Sequence, residues 1–139
     1  MPECLAPYWD RMQHFDVDLE PLRTALEVAY PDVETRALTL FAWLGAKDGP
    51  WRRYRHHLRV PELLLLEIPT EILIGVLLKH PLSPAHVEGA LNYFAGYEFW
   101  RRRPHDFELI PAEFKARLME RGLASSDEDR IWRVQRMLA

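Results

Sequence analysis

Two stretches of this chain, about fifty residues apart, repeat the same order of features. The sequence VETRALTLFA at residues 33–42 returns, one residue shorter, as VEGALNYFA at residues 87–95. Each copy is followed by a basic segment with the pattern W-R-R-x-x-H, first at residues 51–56 and again at residues 100–105. Such a recurrence favours stacked helical hairpins, each of which presents arginines near the end of its second helix.

The periodicity of apolar residues predicts the first hairpin. After Asp18, a suitable N-cap, residues 19–29 carry one apolar stripe, and Pro31-Asp32 ends that helix. A second stripe runs over residues 33–44, and Gly45 is expected to lie just beyond the helix end. Because the link is short, the two helices are expected to pack antiparallel.

The middle of the chain predicts two more helices. Pro61 is expected to start a short helix through Leu66, after an arginine-rich stretch at residues 51–59. Pro69-Thr70 is expected to start a helix through His80. Because this helix is apolar nearly all round, the sequence places it at the centre of the fold.

The rest of the chain also has helical signals. Ser83-Pro84 marks the start of a helix that is expected to reach Trp100 or Arg103 before Pro104. A third unit comprises a helix from Pro111 to Arg121, ended by Gly122, and a final helix introduced by a capping box at residues 125–128. No segment alternates as a strand does, so the sequence predicts one all-α domain over residues 1–139.

The residues of the first hairpin resemble a HEAT-like repeat unit. In such a unit the first helix ends at a proline–aspartate turn, and the second helix begins with valine and continues to an alanine–leucine pair. Here the first helix contains PLRTAL at residues 21–26, and the alanine–leucine pair is Ala37-Leu38. Residues 69–100 look like a degenerate second copy. Ala37 and Ala90 are 53 residues apart, longer than the roughly 40–47 of these families, so an irregular helical bundle stays open. The resemblance implies a stacked-helix scaffold whose concave face binds protein or, in some members, nucleic acid.

Composition and motifs argue against an enzyme, a metal and a cofactor. Cys4 is the only cysteine, so neither an intrachain disulfide nor a cysteine zinc site is expected. The six histidines lack ligand motifs, and the H-x-E at residues 86–88 lacks the P-C-x-x-C that zinc deaminases need. No nucleophile has a neighbouring base and no glycine loop could hold phosphate, so we predict a non-enzymatic protein without cofactors.

Sequence signals also predict where the protein resides. Residues 61–78 form the most apolar stretch, but Glu62, Glu67, Pro69 and Glu71 interrupt it, so we expect no membrane span. The acidic N-terminal residues carry no apolar leader pattern. We therefore expect a cytoplasmic protein, of bacterial type.

The best candidate surface is an arginine–aromatic patch built from the two W-R-R-x-x-H segments. It consists of Trp51, Arg52, Arg53, Tyr54, Arg55, Trp100, Arg101, Arg102 and Arg103. Guanidinium groups bind carboxylates and phosphates in a bidentate manner, and arginine, tyrosine and tryptophan are enriched at protein interfaces. The net charge of −3 favours an acidic protein partner over nucleic acid, which is the alternative ligand.

A structural role for the patch is the competing interpretation. In that case the aromatic rings close the core, while the arginines neutralise helix ends or pair with Glu62, Glu67 and Glu98. The final helix also has an apolar stripe, formed by Ile131, Val134 and Leu138, which leaves a homodimer contact as an alternative to docking on its own domain.

Overall fold

The computed structural model of the protein describes residues 1–12, 17–46 and 55–124. The α-helices are α1 (Trp9–Met12), α2 (Glu20–Ala29), α3 (Val33–Gly45), α4 (Arg55–Leu66), α5 (Thr70–Lys79), α6 (Pro84–Phe94), α7 (Tyr97–Arg102) and α8 (Ala112–Ala124). Two 3-10 helices cover Glu3–Tyr8 and Pro104–Leu109. These residues include no strand, so the all-α prediction is confirmed. The final predicted helix, residues 125–138, lies outside the described residues.

The centre of the fold is the crossing of α3 and α6, whose backbones approach over a longer stretch than those of any other described pair. A Cβ atom on Gly45 would overlap the carbonyl oxygen of Ala85 and lie 2.5 Å from the amide nitrogen of Gly89. A Cβ atom on Gly89 would overlap the carbonyl oxygen of Phe41. Both glycines are therefore needed for close backbone approach, the use that lacking a Cβ atom allows.

The crossing corrects one expectation, and the antiparallel packing of α2 on α3 stays a prediction. Gly45 is the last residue of α3, followed by Ala46 as C-cap, and no described glycine has a positive φ angle. It therefore does not end the helix as a left-handed residue. α3 makes its main contacts with α6, α4 and α5, and α2 makes its main contact with the N-terminal 3-10 helix. The second helices of the two predicted hairpins are thus each other's principal neighbours.

An aromatic cluster lies beside this crossing. The side chains of Phe41, Tyr93, Phe94 and Phe99 are all 1% exposed or less. The ring centroids of Tyr93, Phe94 and Phe99 are 5.3 Å apart in each pairing, and the rings are tilted or edge-to-face, as aromatic quadrupoles prefer. Since Phe99 belongs to α7, the cluster attaches α7 to the core.

Local side chains cap the starts of two helices, α3 and α6, and Ser83 does so as expected. Asp32 Oδ2 accepts a hydrogen bond from the Thr35 amide at 3.1 Å and so caps α3. The N-cap of α2 is Leu19 and not the predicted Asp18, although Asp18 Oδ1 accepts from the Glu20 amide at 3.1 Å. Ser83 caps α6 by accepting from the His86 amide at 3.2 Å, while His86 Nδ1 accepts from the Ser83 amide at 3.1 Å. This reciprocal capping box fixes where α6 begins.

The capping box predicts a pH dependence of stability. Burial holds the pKa of His86 below its ordinary value of 6.5. Below pH 6.5 the unfolded chain therefore takes up a proton at His86 more readily than the folded chain, so stability should fall as the pH drops through the folded-state pKa. Chemical denaturation across this pH range should show that His86→Gln loses less free energy of unfolding at acid pH than the native chain does. Glutamine keeps the acceptor of the capping box and does not titrate. If the free energy of unfolding fell equally with pH in both proteins, His86 would contribute nothing to the loss of stability at acid pH.

Helix α4 differs from the prediction. It begins at Arg55 and continues through Pro61, which lies within the helix and is buried. A proline at an interior position removes one backbone hydrogen bond. Val60, Leu64 and Leu65 are each 4% exposed or less, and their packing holds the helix through the proline. The packing of these buried side chains thus outweighs the helix-breaking effect of Pro61.

Two further expectations are wrong. Helix α5 is not central, because the side chains of Ile72 and Leu78 are 38% and 68% exposed. Helix α6 does not reach Trp100: it ends at Phe94, and Gly96, in an extended conformation, is the N-cap of the separate helix α7.

The C-terminal part of the described chain needs one more correction. Helix α8 continues past Gly122 to Ala124, so this glycine does not end it.

None of the helices in residues 1–12, 17–46 and 55–124 is both long and apolar enough to span a membrane.

Candidate functional site

The predicted arginine–aromatic patch is described only in its second half. Residues 51–54 lie outside the described part of the chain, and Arg55 is the first residue of α4. Trp100, Arg101 and Arg102 form the last turn of α7, and Arg103 is its C-cap. The equivalence of Trp51 and Trp100 in two similar hairpins stays a prediction.

Two patch arginines are held by one carboxylate. Arg101 Nη2 lies 3.2 Å and Arg102 Nε lies 3.0 Å from Glu98 Oε2, at the i+3 and i+4 spacings that bring helical side chains together. The Glu98 side chain is 6% exposed, whereas those of Arg101 and Arg102 are 49% and 47% exposed. Glu98 thus orients the guanidinium groups of two side chains that are each about half exposed to solvent.

Arg103 has a structural position. Its Nη2 atom donates to the carbonyl oxygen of Leu66 at 2.8 Å and so caps the end of α4. Its Nη1 atom lies 3.7 Å from Asp106 Oδ2, and the same oxygen accepts from Thr70 Oγ1 at 2.6 Å. Thr70 is 2% exposed. Arg103 and Asp106 therefore join the end of α4, the start of α5 and the second 3-10 helix.

A buried tyrosine lies close to these charges. Tyr93 is 1% exposed, and its hydroxyl has no hydrogen-bond partner among the described residues. Burial raises the pKa of Tyr93 well above its usual range, and nearby Arg103 opposes this shift. The phenol therefore stays neutral at physiological pH.

A groove of about 520 Å³ runs beside the end of α7. Leucine side chains from the start of α2 and from α4 supply its apolar surface, and charged residues lie around them. The lining residues are Leu19, Leu63, Leu66, Glu67, Arg102, Arg103, Pro104, His105 and Asp106.

The charges around the groove are joined in ion pairs. Arg23 binds the Glu67 carboxylate through two nitrogen atoms, with Nε 2.9 Å and Nη2 2.5 Å from Oε2. Arg103 lies beside Asp106, and both Arg101 and Arg102 lie beside Glu98.

The exposed arginines of this arrangement offer binding by charge. Half-exposed guanidinium groups bind carboxylate or phosphate oxygens. The Cys4 thiol has its pKa raised by burial, which makes it a poorer nucleophile at neutral pH. No three histidine, cysteine, aspartate or glutamate side chains converge as metal ligands within the described residues. The expectation of a protein without metal or cofactor stays a prediction.

Sequence reasoning missed part of this arrangement. Asp106 lines the groove and accepts a hydrogen bond from Thr70, and Tyr93 interacts electrostatically with Arg103 and Asp106, but these residues are far apart along the chain. The i+3 and i+4 spacing of the arginines from Glu98 was the one local signal available.

Comparison of the chain with protein-family models, curated proteins and solved structures finds no match. The resemblance to HEAT-like units therefore stays a prediction based on the residues quoted above.

Proposed function

We propose that this chain is a cytoplasmic, non-enzymatic protein-binding module that uses the arginine–aromatic patch against an acidic partner. The observation that carries the proposal is the geometry of Arg101, Arg102 and Glu98. The buried carboxylate restrains both guanidinium groups before a partner arrives, which lowers the entropy lost when they bind. About half of each arginine side chain faces solvent, so both can still donate hydrogen bonds to an anion.

The adjacent groove supports an interaction with protein. An acidic segment that also carries an apolar side chain could place its carboxylate against Arg102 and its apolar group against Leu63 and Leu66. Interfaces commonly combine a buried apolar anchor with a polar rim. Specificity would come from the distance between the guanidinium pair and the leucines.

Nucleic acid is the competing ligand, and the local charges disfavour it. Glu67, Glu98 and Asp106 lie within or beside the groove, and the whole chain carries a net charge of −3. A phosphate backbone presents many charges in a row, so it would meet these acids as well as the arginines. A single acidic side chain would not.

The test compares Arg101→Ala/Arg102→Ala with the native chain in two binding assays. In the first assay, host proteins captured by the chain are identified, and peptides that cover their acidic segments are then titrated directly. The second assay measures the affinity for single- and double-stranded oligonucleotides over a range of salt concentrations. We expect peptide affinity to fall by about tenfold or more in the double variant, since two charge-assisted contacts are removed. Oligonucleotide binding should be weak near physiological salt for both proteins.

Arg117→Ala is the matched control, because Arg117 is an exposed arginine on a different helix, α8. It should leave peptide affinity unchanged, and circular dichroism should show native helix content in every variant. Equal peptide affinity for the native chain and the double variant would contradict the proposal. Tight, salt-sensitive oligonucleotide binding that the double variant loses would identify nucleic acid as the ligand instead.

A further inference from the structure

Helix α5 carries an exposed face that no described element covers. At about 100° per residue, its five exposed positions fall within about 120° of the helix circumference, with Gly75 in the middle. They are Glu71, Ile72, Gly75, Leu78 and Lys79. Ile72 is 38% and Leu78 is 68% exposed. Two exposed apolar side chains alone would need no partner, so the glycine between them carries the argument.

Gly75 is not explained by packing among the described residues. A Cβ atom there would meet none of their atoms within 4 Å, and glycine in a helix interior is less favourable than alanine. The two glycines of the α3–α6 crossing, Gly45 and Gly89, lie where another helix backbone leaves no room for a Cβ atom. Gly75 would have the same use if a second helix lay across the exposed face.

The order of residues around Gly75 identifies that second helix as a copy of α5. Glu71 and Lys79 are each four residues from Gly75, and Ile72 and Leu78 are each three residues from it. When two copies pack antiparallel with their Gly75 residues facing, Glu71 and Ile72 of one copy lie level with Leu78 and Lys79 of the other. Opposite charges then meet at both ends of the contact. A parallel pair would bring like charges together at each end.

Lys79 can leave its contact within the chain. Its Nζ atom lies 3.3 and 3.5 Å from the two carboxylate oxygens of Glu34, and its side chain is 68% exposed. His80 Nε2 lies 2.8 Å from the same carboxylate. Glu34 therefore keeps a closer partner when Lys79 turns towards another acid.

We propose that the protein forms a two-fold symmetric dimer through antiparallel packing of α5, centred on Gly75. The face is a single helix of ten residues, so the buried area is small and the dimer is weak. This interface is distinct from the arginine–aromatic patch and leaves the end of α7 exposed in both copies.

Sedimentation velocity over a concentration series, up to the low millimolar range, tests the dimer. Glu71→Lys should weaken dimerisation by about tenfold or more, because the introduced lysine of each copy faces Lys79 of the other and symmetry produces this repulsion twice. Lys79→Glu should have a similar effect. The double exchange Glu71→Lys/Lys79→Glu restores both opposite-charge pairs and should return the dissociation constant to within about threefold of the native value.

Glu120→Lys serves as the control, since it reverses an exposed acid on α8 and should not change the dissociation constant. Circular dichroism should confirm that each variant is folded. A native chain that stays monomeric throughout the series would overturn the proposal. So would a dimer that Glu71→Lys leaves intact, because that dimer would use another surface, or a double exchange that fails to restore association in a folded variant.

Discussion

Replacing Gly89 with alanine should be among the most damaging single-methyl additions that this chain can receive. The new Cβ atom would overlap the carbonyl oxygen of Phe41, a backbone atom that cannot move aside without displacing α3. Overpacking of this kind typically costs about 1–3 kcal/mol, and a clash with backbone belongs at or above the upper end, so we expect about 3 kcal/mol or more. Urea denaturation of the native chain and the variant measures the loss.

Gly75→Ala provides a matched control, because it adds the same methyl group to a helical glycine with open space around it. We expect it to raise the free energy of unfolding by about 1 kcal/mol, through the higher helix propensity of alanine. The comparison should be made at dilute concentration, where the chain is monomeric. Equal stability changes for the two variants would show that α3 and α6 do not approach as closely as described.

The fold could be predicted from the sequence where the signal is local. Asp32 and Ser83 cap the starts of α3 and α6 as their positions suggest, and Pro21 lies in the first turn of α2. The all-α class followed from the same periodicities. These features depend on residues within three or four positions of each other, so neighbouring sequence contains the information.

The expectations that failed depend on contacts between distant residues. The sequence pattern predicted that Gly45 lies just beyond a helix end, but Gly45 and Gly89 lie against one another, 44 residues apart in the chain. Pro61 looked like a helix start, and burial of Val60 and Leu64 around it was not visible locally. Likewise, Gly96 interrupts an apparently continuous helix so that Phe99 can join the aromatic cluster.

In the candidate site, too, contacts between near neighbours in the chain could be predicted and contacts between distant residues could not. The pairing of Arg101 and Arg102 with Glu98 follows helical spacing and was one of the structural alternatives drawn from the sequence. The bond from Arg103 to the end of α4 and the one from Thr70 to Asp106 span 37 and 36 residues, respectively. No local pattern could have identified those partners.

Replacing Phe99 with alanine should destabilise the chain and also disturb the proposed binding surface. Phe99 is 1% exposed and contacts the rings of Tyr93 and Phe94 at 5.3 Å. Truncating a buried phenylalanine costs about 3–5 kcal/mol, because burial is lost and a cavity remains. Helix α7 has only six residues, too few to be stable without tertiary packing, so the orientation of Arg101 and Arg102 should be lost with this anchor.

Phe99→Leu separates the two consequences. Leucine fills part of the same volume, so the loss should be smaller, about 1–2 kcal/mol, and α7 should stay on the core. Denaturation gives both stabilities, and hydrogen exchange of the amides in α7 reports whether the helix is retained. We expect the alanine variant to lose protection in α7 and affinity for acidic peptides while the leucine variant keeps both. If Phe99→Ala were folded and bound acidic peptides as tightly as the native chain, the guanidinium pair would not need α7 to present it, and preorganisation by Glu98 would no longer explain binding.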